Sequence, residues 1–213
     1  MKNEKKTVNV VFVLDRSGSM YPMKEQVIKG FNTVLRDHSD PEVIYTVCVF
    51  NDSITFAEVQ TPADKVEPLD ERSYRPDGCT ALNDAMGKTI KTMDKLLDKD
   101  SRVLFFVMTD GYENASEHYS DGDVRELVKS RTSKGWEFVF LGANIDVSEE
   151  AEKRGIKRFS EFLADKVGSE VCMMAMNTAV SNMRECGSVD QGEVPFDAEL
   201  QADVRSRKRS RKA

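Results

Sequence analysis

Residues 7–19, TVNVVFVLDRSGS, decide the architecture. Thr7 to Leu14 is a β-branched, apolar run without a helical period, which predicts a strand buried on both faces. The run stops at the polar loop Asp15-Arg16-Ser17-Gly18-Ser19-Met20. From Met23 to Arg36 the apolar residues Val27, Ile28, Phe31, Val34 and Leu35 recur at spacings of three and four. One helix face therefore packs back on the sheet, completing a β-loop-α unit.

Working outward, VIYTVCVF at 43–50 predicts a second strand. The turn Asn51-Asp52-Ser53 and the run ITFAEV at 54–59 predict a hairpin, with its polar second strand antiparallel at the sheet edge. A Pro- and charge-rich loop at 61–79 precedes an amphipathic helix over 81–97, carrying Leu82, Ala85, Met86, Ile90, Met93 and Leu97. RVLFFVMT at 102–109 is the most continuous apolar run in the chain and belongs in the sheet centre. It ends at Asp110-Gly111, and the polar loop GYENASEHYS leads to a helix near 121–134 and the strand WEFVFLG at 136–142. DVSEEAEKRGI predicts a short helix closed by a left-handed Gly155, KRFSEF a sixth strand, and 166–185 a last helix whose VCMMAM run at 171–176 suits a core-facing stripe. Strands alternating with helices imply a mostly parallel sheet covered on both faces.

The length of 213 residues fits one domain over 1–186 with a tail. Beyond Gly187 the sequence turns to Gly, Ser, Asp, Gln and Pro and ends in RSRKRSRKA, so 187–213 is expected to be a mobile tail. Six basic residues against Asp203 give 201–213 a net of +5, and the total of −6 leaves −11 for residues 1–200. The basic block at 205–212 reads as a solvated end, with contact to nucleic-acid phosphates as the sharper alternative. No apolar run approaches the roughly twenty residues of a membrane span, and MKNEKKTVNVVFVL reads as a first strand, not a signal peptide. Cys48, Cys79, Cys172 and Cys186 form no CxxC pair and have no histidines at zinc spacing, which argues against a zinc cluster or disulfide framework and for a reducing, cytoplasmic setting. There, the acceptor pattern Asn114-Ala115-Ser116 would go unglycosylated.

In an open α/β sheet, ligands bind outside the carboxyl ends of the strands, where crossovers diverge. Three segments fall at such positions: Asp15-Arg16-Ser17-Gly18-Ser19, Gly78-Cys79-Thr80 and Thr109-Asp110-Gly111. Together they offer oxygen and neither sulfur nor imidazole, which suits a hard cation such as Mg²⁺, with Mn²⁺ or Ca²⁺ as alternatives. Asp15, Ser17 and Ser19 alternate along an extended loop and can converge on one point, while Gly18 permits a tight turn. The competing reading is a helix-capping loop.

On DRSGS, Thr80 and Asp110-Gly111 the chain resembles the von Willebrand factor A domains over residues 7–186. The match is to the family's DxSxS motif, its distant threonine and its TDG motif. TDGYENAS and FLGANIDVSEEAEKRGI look like a subgroup of small bacterial and phage members. The resemblance implies a three-layer, doubly wound, Rossmann-like α/β fold with six strands in the order 3-2-1-4-5-6, strand 3 antiparallel. It also implies a metal-ion-dependent adhesion site. Ser17 and Ser19 would bind the ion directly, Thr80 directly or through water, and Asp15 and Asp110 through water. An open coordination position would take an Asp or Glu of a protein partner, making the chain a binding module and not an enzyme; the alternative from the enzyme class is a metal-assisted phosphoesterase or nuclease using Asp15 and Asp110.

Arg16, Tyr21, Tyr74, Tyr112 and Glu113 lie on the surrounding loops and are candidate rim contacts. Gly87-Lys88-Thr89 is not a phosphate loop, because Leu82 stands where a glycine is required. A phosphoryl-accepting role for Asp15 would call for a carboxylate two residues on, where Ser17 stands. No Ser-His-Asp grouping is evident; His38 and His118 read as solvated, and Cys79 as a small packing residue.

Overall fold

The computed structural model describes residues 7–99 and 101–210. Six strands form one sheet in the order β3-β2-β1-β4-β5-β6. They are β1 (Val8–Asp15), β2 (Val43–Phe50), β3 (Ile54–Pro62), β4 (Arg102–Thr109), β5 (Trp136–Gly142) and β6 (Arg158–Glu161). All neighbours are parallel except β2 and β3. The sheet order, the antiparallel edge and the flanking helices are those expected from the sequence.

Period-two alternation along β1 sorts the core into two layers. Val8, Val10, Phe12 and Leu14 point to one face and pack with α1 (Lys24–Asp37), α5 (Lys166–Cys186) and α6 (Ala198–Ser210). Val11 and Val13 point to the other and meet α2 (Leu82–Leu96), α3 (Asp121–Thr132) and α4 (Val147–Lys153). Gly30 lets α1 approach α5: a Cβ there would stand 2.1 Å from Met173 Cγ. In the Met-rich run, Cys172, Met173 and Met176 are buried and Met174 is exposed, as one helix face demands. Among the described residues no helix is long and apolar enough to cross a membrane.

Two expectations fail. The segment after Gly187 is not a loose tail over its described length. Val189, Phe196, Leu200 and Val204 are buried, and α6 lies on α5 and β6. Leu200 and Val204 stand one helical turn apart, and with Phe196 they supply an apolar stripe that overall polarity hides. The basic side chains Arg207 and Lys208 pair with Asp165 and Glu161, the latter at 2.6 Å. Arg211 and Lys212 lie outside the described residues. His38 is buried too: Nδ1 faces Arg184 Nη1 at 3.1 Å and Nε2 faces the Asn177 carbonyl at 3.2 Å.

Candidate metal centre

β1 is flanked by β2 on one side and β4 on the other, and the crossovers that lead into these neighbours, α1 into β2 and α2 into β4, lie on opposite faces. This is the topological switch point. Asp15 closes β1, and Asp110 follows Thr109 at the end of β4. Backbone hydrogen bonds stitch the threonine loop to the first loop. Asp77 N donates to Arg16 O at 2.9 Å and Gly18 N to Gly78 O at 3.1 Å. Gly78 sits at φ +71° with Asp52 Oδ2 only 2.8 Å from where a Cβ would be, so the loop requires glycine there.

The five predicted ligands meet. Ser17 Oγ and Ser19 Oγ are 3.1 Å apart, and Ser19 Oγ donates to Asp110 Oδ1 at 2.5 Å. A Cβ on Gly111 would stand 3.2 Å from Thr80 Oγ1 and 3.9 Å from Ser19 Oγ, so glycine keeps open the space these hydroxyls share. Asp15 lies beneath, its Oδ1 accepting from Ser17 N at 2.6 Å and its Oδ2 from Thr109 Oγ1 at 2.6 Å. Ser17 stands at the cap position of the 3-10 turn Gly18–Met23, yet its side chain makes no capping bond. The capping alternative therefore lacks its defining contact.

Asp15 is fully buried and Asp110 nearly so. Burial pushes the Asp15 carboxyl up to about 6, against the pull of its bonds from Thr109 and Ser17 and with a smaller push from Asp110. Burial likewise raises Asp110, against the Ser19 hydrogen bond. Among the described residues neither carboxylate has a Lys or Arg partner. Nor does any group of three or more His, Cys, Asp or Glu gather there or elsewhere. Three hydroxyls and two carboxylates without a cation fit a hard metal ion.

The rim needs correction. Tyr74 is fully buried, its hydroxyl donating to the Asp15 carbonyl, so it is a prop under the site. The Glu113 carboxylate accepts from Asn83 N, Ala115 N, Ser116 N and Ser116 Oγ and is spent on the loop itself. Arg16 leans over the hairpin, its Nη2 3.3 Å from both Ser53 Oγ and Thr55 Oγ1. Tyr21 and Tyr112 do project, at 70% and 50% exposure, and the Tyr112 hydroxyl accepts from Asp146 N. Cys79 is exposed and packs into no core. Sequence reasoning placed Thr109 in the site segment without its role of holding Asp15, and missed Asn51, whose amide donates to Asp77 Oδ1 at 2.6 Å while its carbonyl takes Ser53 N. The Asn51-Asp52-Ser53 turn signal was present, but nothing local ties it to residue 77.

These features define an α/β domain with an oxygen-ligand cluster at its switch point. The von Willebrand factor type A domain matches residues 9–166, and the chain belongs to that family. Inter-alpha-trypsin inhibitor heavy chain H2 of Homo sapiens is 29% identical over 157 residues, covering 68% of this chain and 16% of that protein. Heavy chain H4 of Bos taurus is 27% identical over 150 residues, with 66% and 16% covered. The chain thus spans about a sixth of the length of these mammalian relatives. Among solved structures, the PilB minor pilin of Streptococcus sanguinis aligns with TM-score 0.65 at 10% identity, covering 87% of this chain and 64% of that one. Manganese-loaded TRAP protein of Plasmodium vivax aligns with TM-score 0.58 at 19% identity, covering 80% and 72%. Domains of this family are typically metal-dependent protein-interaction modules.

Proposed function

We propose that this chain is a non-enzymatic binding module that holds one Mg²⁺-class ion through Ser17, Ser19, Thr80, Asp15 and Asp110 and captures a protein through an Asp or Glu carboxylate. The observation that carries the reading is the convergence of three hydroxyls on two buried carboxylates that, among the described residues, lack a cationic partner. A bound ion would supply that positive charge and an electrophilic point for a partner's carboxylate. The manganese held by the Plasmodium relative supports a divalent ion. Tyr21 and Tyr112 are the exposed aromatic anchors beside the site. Binding is favoured over turnover because the cluster's own groups are hydroxyls and carboxylates suited to ligation and hydrogen bonding, and no histidine stands among them to act as a base at neutral pH. The cytoplasmic setting is part of the proposal and is supported by four free thiols. The bacterial or phage subgroup rests on the TDGYENAS and FLGANIDVSEEAEKRGI segments alone. Nucleic-acid contact is the weaker reading, since Arg207 and Lys208 are committed to Asp165 and Glu161.

The test is affinity capture in Mg²⁺ with chelator elution, read by mass spectrometry. Asp15→Ala and Thr80→Ala should each weaken capture at least about tenfold, and EDTA should release the partner. Capture indifferent to chelator and to both substitutions would overturn the reading, as would turnover of phosphate esters by the purified protein.

A further inference from the structure

Thr80 sits on a loop two residues ahead of α2, and its hydroxyl is only as well placed as its backbone. Both polar groups of that backbone are held by one residue from the opposite loop. Thr80 N donates to Asn114 Oδ1 at 2.9 Å, and Asn114 N donates to Thr80 O at 3.1 Å. Two contacts fix the orientation of the threonine where one would leave a pivot.

Asn114 is itself anchored. Glu113 reaches Asn83 N at 2.7 Å, Ser116 Oγ accepts from Asp84 N at 2.9 Å, and the Asp84 carboxylate accepts from His118 N and Tyr119 N at 2.9 Å. Asn83 and Asp84 form the first turn of α2, immediately after the Thr80 loop. The 113–119 loop and the start of α2 are thus one hydrogen-bonded body, with Asp110 at its entry and Thr80 at its edge.

We propose that Asn114 is the positioning residue for Thr80 and that this clamp sets the preference of the site for Mg²⁺ over Ca²⁺; the inference rests on the metal-binding reading above. Mg²⁺ demands near-ideal octahedral geometry at about 2.0–2.1 Å, whereas Ca²⁺ accepts six to eight oxygens at about 2.3–2.6 Å in flexible arrangements. A threonine free to shift by a few tenths of an ångström is tolerated by the second ion and not by the first. Removing a group that orients a ligand costs about 10–100-fold in metal affinity, and here the loss falls on Mg²⁺.

The experiment compares wild type, Asn114→Ala and Asn114→Asp, the last keeping an acceptor oxygen for Thr80 N. Titration calorimetry with MgCl₂ and with CaCl₂ gives the affinity ratio, and hydrogen exchange of the Thr80 amide in metal-free protein reads the clamp directly. Asn114→Ala should expose the Thr80 amide to fast exchange and lower Mg²⁺ affinity about tenfold or more, with Ca²⁺ affinity changed less than about threefold. Asn114→Asp should restore the slow amide and the Mg²⁺-to-Ca²⁺ ratio. Asn114 is exposed, so these substitutions leave the core in place. Equal losses for both ions, or an unchanged Thr80 amide, overturn the proposal while leaving the metal site standing. A wild type that binds neither ion overturns the metal reading and this proposal with it, and the exchange result then reports only the loop.

Discussion

Two clusters of buried charge flank α2, and they are solved in opposite ways. Around Arg154, which has no exposed surface, every charge finds its opposite within the chain. Nε donates to Asn83 Oδ1 at 2.7 Å and Nη1 to the Glu150 carbonyl and carboxylate at 2.9 and 2.8 Å. Asp121 Oδ1 lies 3.1 Å from Nη2, an ion pair without the geometry of a hydrogen bond. Around Asp15 and Asp110 two carboxylates are buried among hydroxyls, and among the described residues no basic side chain pairs with them. The first cluster is closed, and staples α2, α3 and α4. The second is open, at the end of the sheet where a ligand can arrive. Burying charge is expensive in either place: the closed cluster offsets the cost with opposite charge inside the chain, and on the proposed reading the open one would offset it with a bound ion.

Breaking the closed cluster should give the largest effect on folding. Arg154→Met keeps apolar volume but strands Glu150 and Asn83. The expected loss is about 3 kcal/mol, at the low end for breaking a buried pair because Lys153 still reaches Glu150 Oε1 at 2.8 Å. Chemical denaturation measures it, and added Mg²⁺ should not recover it selectively. An effect below about 0.5 kcal/mol, typical of surface sites, would mean that the cluster is not closed in the sense argued.

The open cluster should answer with the opposite sign. Asp110→Asn keeps an oxygen for the Ser19 hydroxyl and removes one uncompensated charge, so the metal-free protein should be as stable as wild type or more so. Wild type should gain about 2.7 kcal/mol when Mg²⁺ is at a hundred times its dissociation constant, and the variant should gain almost nothing. Thermal melts with and without Mg²⁺ give both numbers. A variant that is destabilised without metal, or that keeps the Mg²⁺ gain, would erase the contrast between the clusters.

The open cluster was legible in the sequence and the closed one was not. Asp15 closes β1, Ser17 and Ser19 follow it, and Asp110 follows β4, and both strands are marked by predominantly apolar runs; Thr80 precedes the amphipathic α2. Arg154 caps the end of the short, charged α4, and no periodic signal marks it as interior. Besides Glu150 one turn back, its partners lie 71 and 33 positions away at Asn83 and Asp121. Tyr74 and Glu113 were misplaced on the rim for the same reason. A loop aromatic and a loop acid look alike whether they face water or, as here, a backbone carbonyl and four donors within the site's own scaffold. The docked α6 was hidden because three apolar residues had to outweigh a strongly polar composition.

His38 sharpens the comparison from a third direction, with a smaller effect. It is buried beside a cation yet closed by hydrogen bonds instead of opposite charge. Arginine only donates, so Arg184 Nη1 must give to Nδ1, and Nε2 must carry the proton that meets the Asn177 carbonyl. The ring is therefore neutral. Burial lowers its pKa, the Asn177 bond pulls the other way, Arg184 lowers it further and Asp37 opposes; Asp40 takes the other arm of Arg184, and Tyr45 lies near the same pair. A histidine held below its unfolded value of about 6.5 binds fewer protons in the native state. Its contribution to stability is therefore complete at neutral pH, begins to fall as pH drops through about 6.5, and levels off below the folded value. Urea unfolding between pH 5 and 8 should show that decline in wild type and lose it in His38→Gln, whose amide cannot take up a proton. A decline that survives in His38→Gln would remove His38 as its cause; the buried Asp15 and Asp110, raised by burial, would give the opposite slope, with stability rising as pH falls.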